Sequence, residues 1–333
     1  MATFQDASVG FKAETTYKTG VTVDRWVEYV DESLDWKKNI KQGKGLRVGG
    51  RVARSARRVV PTAAGGGDFT MECTSKGMGT LWELCMGSGA STLVSTGVYQ
   101  QVFTLGDTPK SATIQKGLAE VGGTVDAYTF LGCMVESFEF DFTNDDIAML
   151  KTTIVAADLT TATAYTSPSY VTSPNLFHFA NGSISSGTLT APTSTTLASG
   201  STTIADVRGG SFTVNHNLTD NRYNFGGSGR MSKPTVGLRE ISGKMDVEYD
   251  STTFRDAVLN ETPLCIILNY TAGALTTGNE TLQIVLPEVK FDSELAKTNG
   301  TDLILQNMSF QVLDNLTAAQ PIWIVTRTAD TAL

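Results

Sequence analysis

The chain is poor in histidine and cysteine, has only 8% aromatic residues, and contains no long apolar run. Its two histidines, His178 and His216, have no HxxxH or HxH partner, and no GxSxG elbow accompanies them. Both read as structural or surface side chains. Cys73, Cys85, Cys133 and Cys265 form no CxxC pair and sit among apolar neighbours. They read as buried free thiols rather than metal ligands or a disulfide framework. No segment approaches the roughly 20 apolar residues of a membrane helix. The opening MATFQDASVGFKAE lacks a basic region followed by an apolar one. The expectation is a chain with neither a signal peptide nor a membrane span. Gly65-Gly66-Gly67 lacks the Lys-Ser/Thr of a phosphate loop, and Asp145-Asp146 lacks the further acids of a calcium loop. No cofactor or metal is expected, and no residue pattern supports an enzyme.

What is present is an uneven charge. The net charge is -8, yet Lys37, Lys38, Lys41, Lys44, Arg47, Arg51, Arg54, Arg57 and Arg58 follow one another with no acid among them, leaving the remainder at -17. Gly43, Gly45, Gly49 and Gly50 interrupt this stretch, so it reads as an exposed arm or long hairpin loop. Leu46, Val48, Val52, Val59 and Val60 are interleaved with the cations, with no aromatic available for base stacking. Docking on the acidic body of a like subunit is favoured over a plain solvated loop or nucleic-acid binding.

At 333 residues the chain has room for two domains, and its pattern repeats. Shifted by 176 positions, Gly67–Cys73 lies on Gly243–Tyr249, and each alternating stretch leads into a short amphipathic helix. In the first helix Met78, Leu81, Trp82, Cys85 and Met86 share one face, with Thr74 or Ser75 as the expected cap; in the second Phe254, Ala257 and Val258 do, with Asp250 or Ser251. Gly87 and Gly89 end the first helix. Pro61 and Gly65–Gly67 are expected to end the arm and release the chain into a strand at Phe69. Val21–Asp35 fits a strand with a bulge, and further strands are expected at 100–105, 112–116, 128–142 and 147–157. The second half offers 264–270, 282–286, 289–295 and 303–313, with a turn at Asn299-Gly300. The closing hairpins match at a shift of 156, so the first half carries about 20 extra residues, placed largely in a loop over 87–97.

Thr160–Ser173 reads as linker, and Ser183–Thr203 as a flexible loop or a Thr-rich hairpin. The expected fold is mainly β: two tandem β-sandwich or barrel units, each with one short flanking helix, plus the basic arm. The units span 1–158, with the arm at 37–58, and 176–333, with an insertion at 183–204. A linker at 159–175 joins them. Arg230, Lys233 and Arg239, upstream of the second repeat, read as a reduced second arm.

The order of several segments resembles the tail tube (major tail) proteins of long-tailed bacteriophages. The segments are Val9–Gly20, Glu28–Leu34, Leu46–Arg51 with Arg57-Arg58, Gly66–Phe69, Ser111–Gly117, Leu131–Val135, Gly243–Tyr249, Ile284–Val289 and Asp302–Gln306. The resemblance covers nearly the whole chain. It implies subunits stacked in rings as a hollow tube in the virion tail, assembled in the host cytoplasm. The loop after the first strands reaches the neighbouring ring, and the lumen holds a tape-measure protein and later conducts DNA. Tail terminator and distal tail or baseplate proteins are the implied partners, with no membrane. Single-unit family members form sixfold rings, so a doubled chain is expected to form a pseudo-sixfold trimer, with a hexamer as the alternative. A decoration or receptor-binding protein is the second reading, with Tyr165 and Tyr170 as its candidate contacts.

Overall fold

The computed structural model describes residues 6–204, 206–250, 252–292 and 304–333. The first half contains β1 (Ser8–Ala13), β2 (Arg25–Trp26), β3 (Tyr29–Glu32), β4 (Asp35–Gln42), β5 (Arg58–Glu72), α1 (Gly79–Met86), β6 (Gly87–Ser95), β7 (Val98–Leu105), β8 (Ala112–Ala119), β9 (Val125–Asp141), β10 (Met149–Ala156) and β11 (Asp158–Thr160). The second contains β12 (Gly182–Thr190), β13 (Ser199–Ile204), β14 (Val207–Asn215), β15 (Glu240–Glu248), α2 (Thr253–Leu259), β16 (Leu264–Ala274), β17 (Asn279–Phe291), β18 (Leu305–Val312) and β19 (Trp323–Thr328). The fold is mainly β. Among the described residues no helix is long and apolar enough to cross a membrane.

Three runs of antiparallel strands organise the molecule. The first is β5-β10-β9-β14-β15-β18, a six-stranded sheet drawn from both halves. The second is β13-β12-β16-β17-β19-β7-β6, again crossing from one half to the other. The third, β2-β1-β8-β9-β11, belongs to the first half. The period-two run Phe138, Phe140, Phe142 places all three rings inward, while Glu139 and Asp141 face outward. Trp82 of α1 meets Phe138 edge-on with ring centroids 6.3 Å apart, and Phe138 meets Phe212 of β14 at 6.5 Å. One apolar core therefore spans both halves.

The repeat is visible in the pairing register. Tyr29↔Met71 followed by a bulge to Asp31↔Thr70 is matched by Val207↔Val247 followed by a bulge to Gly209↔Asp246. Ile154↔Val135 is matched, at a shift of 156, by Phe310↔Phe291. A side chain on Gly67 would collide with the carbonyl of Ser33, and one on Gly243 with the carbonyl of Ser211. Only glycine permits that approach.

Several sequence expectations are corrected. Pro61 and Gly65–Gly67 do not end a loop; they lie inside β5. Pro61 is tolerated because that end of β5 pairs with β4 alone, near a register shift between Asn39 and Lys41. The 87–97 loop is β6, which pairs with β7 along its length. This hairpin covers the second side of α1, and the helix is therefore buried on all faces rather than one. The expected side-chain cap of α1 is not made. Thr74 Oγ1 donates instead to the Lys76 carbonyl, and Ser75 Oγ accepts from the Asn175 amide, because this turn is bound to the connecting segment. Thr252 occupies the cap position of α2 without a side-chain bond; Ser251 lies outside the described residues. The strand expected at 282–286 and the start of the one expected at 289–295 are one element, β17, which runs through Pro287 as it passes from β16 and β19 to β18 and ends at Phe291; residues 293–295 lie outside the described residues. The Ser183–Thr203 run is the β12–β13 hairpin. The turn at Asn299-Gly300 and the start of the strand at Leu303 lie outside the described residues.

The four cysteines are free and buried, as expected. Burial pushes the thiols of Cys73, Cys85 and Cys133 well above their ordinary range, which leaves them protonated and unreactive.

Candidate assembly surfaces

The basic stretch forms a hairpin of β4 and β5 whose register runs from Lys37↔Ala64 to Gln42↔Arg58. Pairing of β5 with β10 stops at Gly65↔Ala156, so the rest of the hairpin projects beyond the end of the sheet. Residues 58–64 at about 3.3 Å each give a projection of roughly 23 Å before the tip. Lys37, Lys38 and Lys41 lie on β4, Lys44, Arg47, Arg51 and Arg54 in the tip, Arg57 in a short 3-10 turn, and Arg58 at the start of β5. The tip is closed by Gly43 N–H donating to the Arg57 carbonyl (2.9 Å) and Gln42 Nε2 to the Arg54 carbonyl (3.0 Å).

All nine cations are exposed. Among the described residues none has a carboxylate within ion-pair distance. Leu46, Val48 and Val52 are also out in solvent, as are Val59 and Val60 on the stem. A hairpin that exposes this much charge and apolar surface forms no core of its own. Its chemistry suits capture of an acidic surface that also offers apolar contact.

Arg230, Lys233 and Arg239 are placed differently. Arg230 Nε sits 2.7 Å from Asp158, and its guanidinium lies 5.0 Å from the ring centre of Trp36 on β4. The neighbouring Gly229 carbonyl accepts from Ala63 N–H at 3.0 Å. This segment of the second half thus grips both strands of the arm at their root. Lys233 accepts through its carbonyl from Arg222 Nη1 (2.9 Å). Arg239 reaches into the interior, donating to the Gly106 carbonyl and, through Nε, to His216 Nδ1 at 3.2 Å. His216 is fully buried, and its Nε2–H donates to the Cys85 carbonyl at the end of α1 (2.7 Å). Desolvation holds the His216 pKa down to about 4, outweighing the bond to Cys85, with the Arg239 charge adding to the drop. No sequence motif joins these residues; contacts spaced by up to 133 positions are closed only by the fold.

The opposite end of the six-stranded sheet is acidic. The register puts Glu72, Asp141 and Glu248 at the end remote from the arm. The turn carrying Asp145 and Asp146 is there too, with Asp206 and Asp250 beside Glu248. Arg208 pairs with Glu248 at 3.3 Å. Between them opens a cleft of about 330 Å³ floored by Phe142, Ile184, Leu268 and Tyr270, with Phe179 and Val207 at its rim. The broad faces of the sheet divide cleanly: Phe140, Phe212 and Met245 point to the core, and Glu139, Ser211, Thr213, Lys244 and Asp246 point away.

Of the two tyrosines that suggested a receptor-binding surface, Tyr165 is tied by its hydroxyl to Ser8 Oγ (2.9 Å), and Tyr170 is exposed. Among curated proteins none matches the chain. The family model described as "Phage tail tube protein" matches residues 5–312, nearly the whole length. The chain therefore belongs to the phage tail tube protein family, structural components of the virion tail that assemble with copies of themselves into a tube.

Proposed function

We propose that this chain is a doubled tail tube subunit, its units spanning 1–158 and 176–333, and that three copies close a pseudo-sixfold ring. The carrying observation is the seam between the halves. There β14 lies between β15 and β9, with Ser211↔Asp141 and Asn215↔Ser137 on the outer side. The repeat counterpart of β14 is β3 with the start of β4, which pairs with β5 in the matching bulged register. Among the described residues no strand pairs with the outer edge of that counterpart. A strand from a second copy set against this edge would repeat between chains the joint already made within one, and three such joints would alternate with three internal ones.

In this reading the polar face of the six-stranded sheet, with Glu139, Asp141 and Asp246, faces the lumen. A mildly acidic wall disfavours adhesion of DNA, consistent with a tube that encloses a tape-measure protein and later conducts the genome. Terminator and distal tail or baseplate proteins cap the two ends, and assembly takes place in the host cytoplasm. The basic arm docks on the adjacent ring. Cryo-electron microscopy of assembled tubes tests the ring. Threefold rings with both halves of each chain lining the lumen are expected; sixfold rings with one half outside the wall would overturn the stoichiometry.

A further inference from the structure

The arm and the acidic cleft stand at opposite ends of one sheet, so neither reaches the other within a chain. Copies stacked by translation along the strand direction bring the arm of one toward the cleft end of the next. The two surfaces also match in kind. The arm carries nine cations around three fully exposed apolar side chains, Leu46, Val48 and Val52. The cleft end carries Asp145, Asp146, Asp206, Glu248 and Asp250 against Arg208. Its floor is buried and apolar, as deep as Tyr270 and Leu268, yet open to solvent past Phe179, which is 44% exposed.

We infer that the cleft bordered by Phe179, Val207 and Arg208 is the receptor for the arm tip of a second copy. The apolar side chains at residues 46–52 enter it, and Arg54, Arg57 and Arg58 meet the surrounding carboxylates. Burying the three side chains removes apolar surface from water on both partners, and the charges steer the encounter and fix its polarity. The inference rests on the tube reading and adds to it the surface on which the arm lands. It also assigns a role to the β12–β13 hairpin, whose Ile184 and Ile204 form one wall of the cleft. Without that hairpin the cleft is an open face of β16.

Cysteine pairing tests this directly, because the four native thiols are buried. Full-length Val48→Cys chains are mixed with full-length Phe179→Cys chains under mild oxidation, with and without conditions that favour polymerisation. The expected result is a mixed disulfide dimer that forms at least tenfold faster in tubes than in dilute subunits. That acceleration disappears when the Val48→Cys chain also carries Arg54→Glu and Arg57→Glu. Tubes that form without the mixed disulfide would overturn the cleft assignment while leaving the tube reading intact. Absence of both tubes and disulfide would overturn both. As a control that does not rely on sulfur chemistry, Asp145→Lys with Asp146→Lys is expected to raise the concentration needed for polymerisation several-fold with the thermal unfolding temperature unchanged. An unchanged polymerisation threshold counts against the inference.

Discussion

Single residues fasten the two halves together, and His216 is the clearest case. The folded protein keeps its imidazole neutral down to about 4, whereas the unfolded chain takes up a proton near 6.5. Between those values the unfolded state binds more protons, so stability present above pH 6.5 is lost as pH falls toward 4. The drop corresponds to on the order of 3 kcal/mol. His216→Gln keeps a donor for the Cys85 carbonyl but does not titrate. Urea unfolding at pH 7.5 and pH 4.5, in an arm variant that stays monomeric, is expected to show the wild-type side chain losing about 2–3 kcal/mol more than the glutamine variant over that interval. At Gly67 the argument is steric. Gly67→Ala presses a methyl group on the Ser33 carbonyl and is expected to cost about 2 kcal/mol or more, with a similar penalty for Gly243→Ala at Ser211. Equal penalties at the two sites in denaturant titrations would confirm that they are the same structural position twice.

At the scale of elements, the arm is where charge decides behaviour. Arg54→Glu with Arg57→Glu reverses two exposed cations that have no ion-pair partner among the described residues. It is expected to leave circular dichroism and melting unchanged and to abolish polymerisation at concentrations where the parent forms tubes. Tubes at the same concentration would remove the docking role from the arm. Raised salt is expected to weaken assembly of the parent in the same direction, because pairs between solvated surfaces are screened. The arm was legible in the sequence since nine like charges with four glycines have no way to be buried. Its length was not, because Pro61 and three glycines read as breaks. They proved compatible with β5: proline sits where only one neighbour pairs, and Gly66 and Gly67 sit where two backbones approach too closely for a side chain. The β6 strand was hidden for a similar reason, as Gly, Ser and Thr suit an exposed hairpin strand as readily as a loop. The receptor cleft was invisible, since its walls come from Phe142, Phe179, Ile184, Val207 and Tyr270, which share no periodicity.

At the scale of the whole molecule, the repeat was legible at Gly67–Cys73 and Gly243–Tyr249, and the pairing registers carry the same offsets of 176 and 156. What no one-dimensional pattern shows is that β9 crosses to β14 and β7 to β19, tying the two halves by two sheets. Arg230 adds a third tie at the arm root, where a second-half side chain holds Trp36. A ring built from this chain is expected to have a mass of three subunits, and native mass spectrometry of rings released from short tubes checks it. Six subunits per ring would require the seam to recur differently from the way β9 and β14 make it.

The β9–β14 seam also bears on how fast such a structure can start. A joint formed inside one chain is made at the moment of folding, with no dependence on how many other chains are nearby. If rings close from three doubled chains, half of their joints exist before any collision. The rate of initiating a tube then rises with a lower power of subunit concentration than for six separate single-unit chains. On the doubled-subunit proposal, carrying both units in one chain would lower the reaction order of nucleation, and a lag time that shortens only gently with concentration would be its kinetic signature.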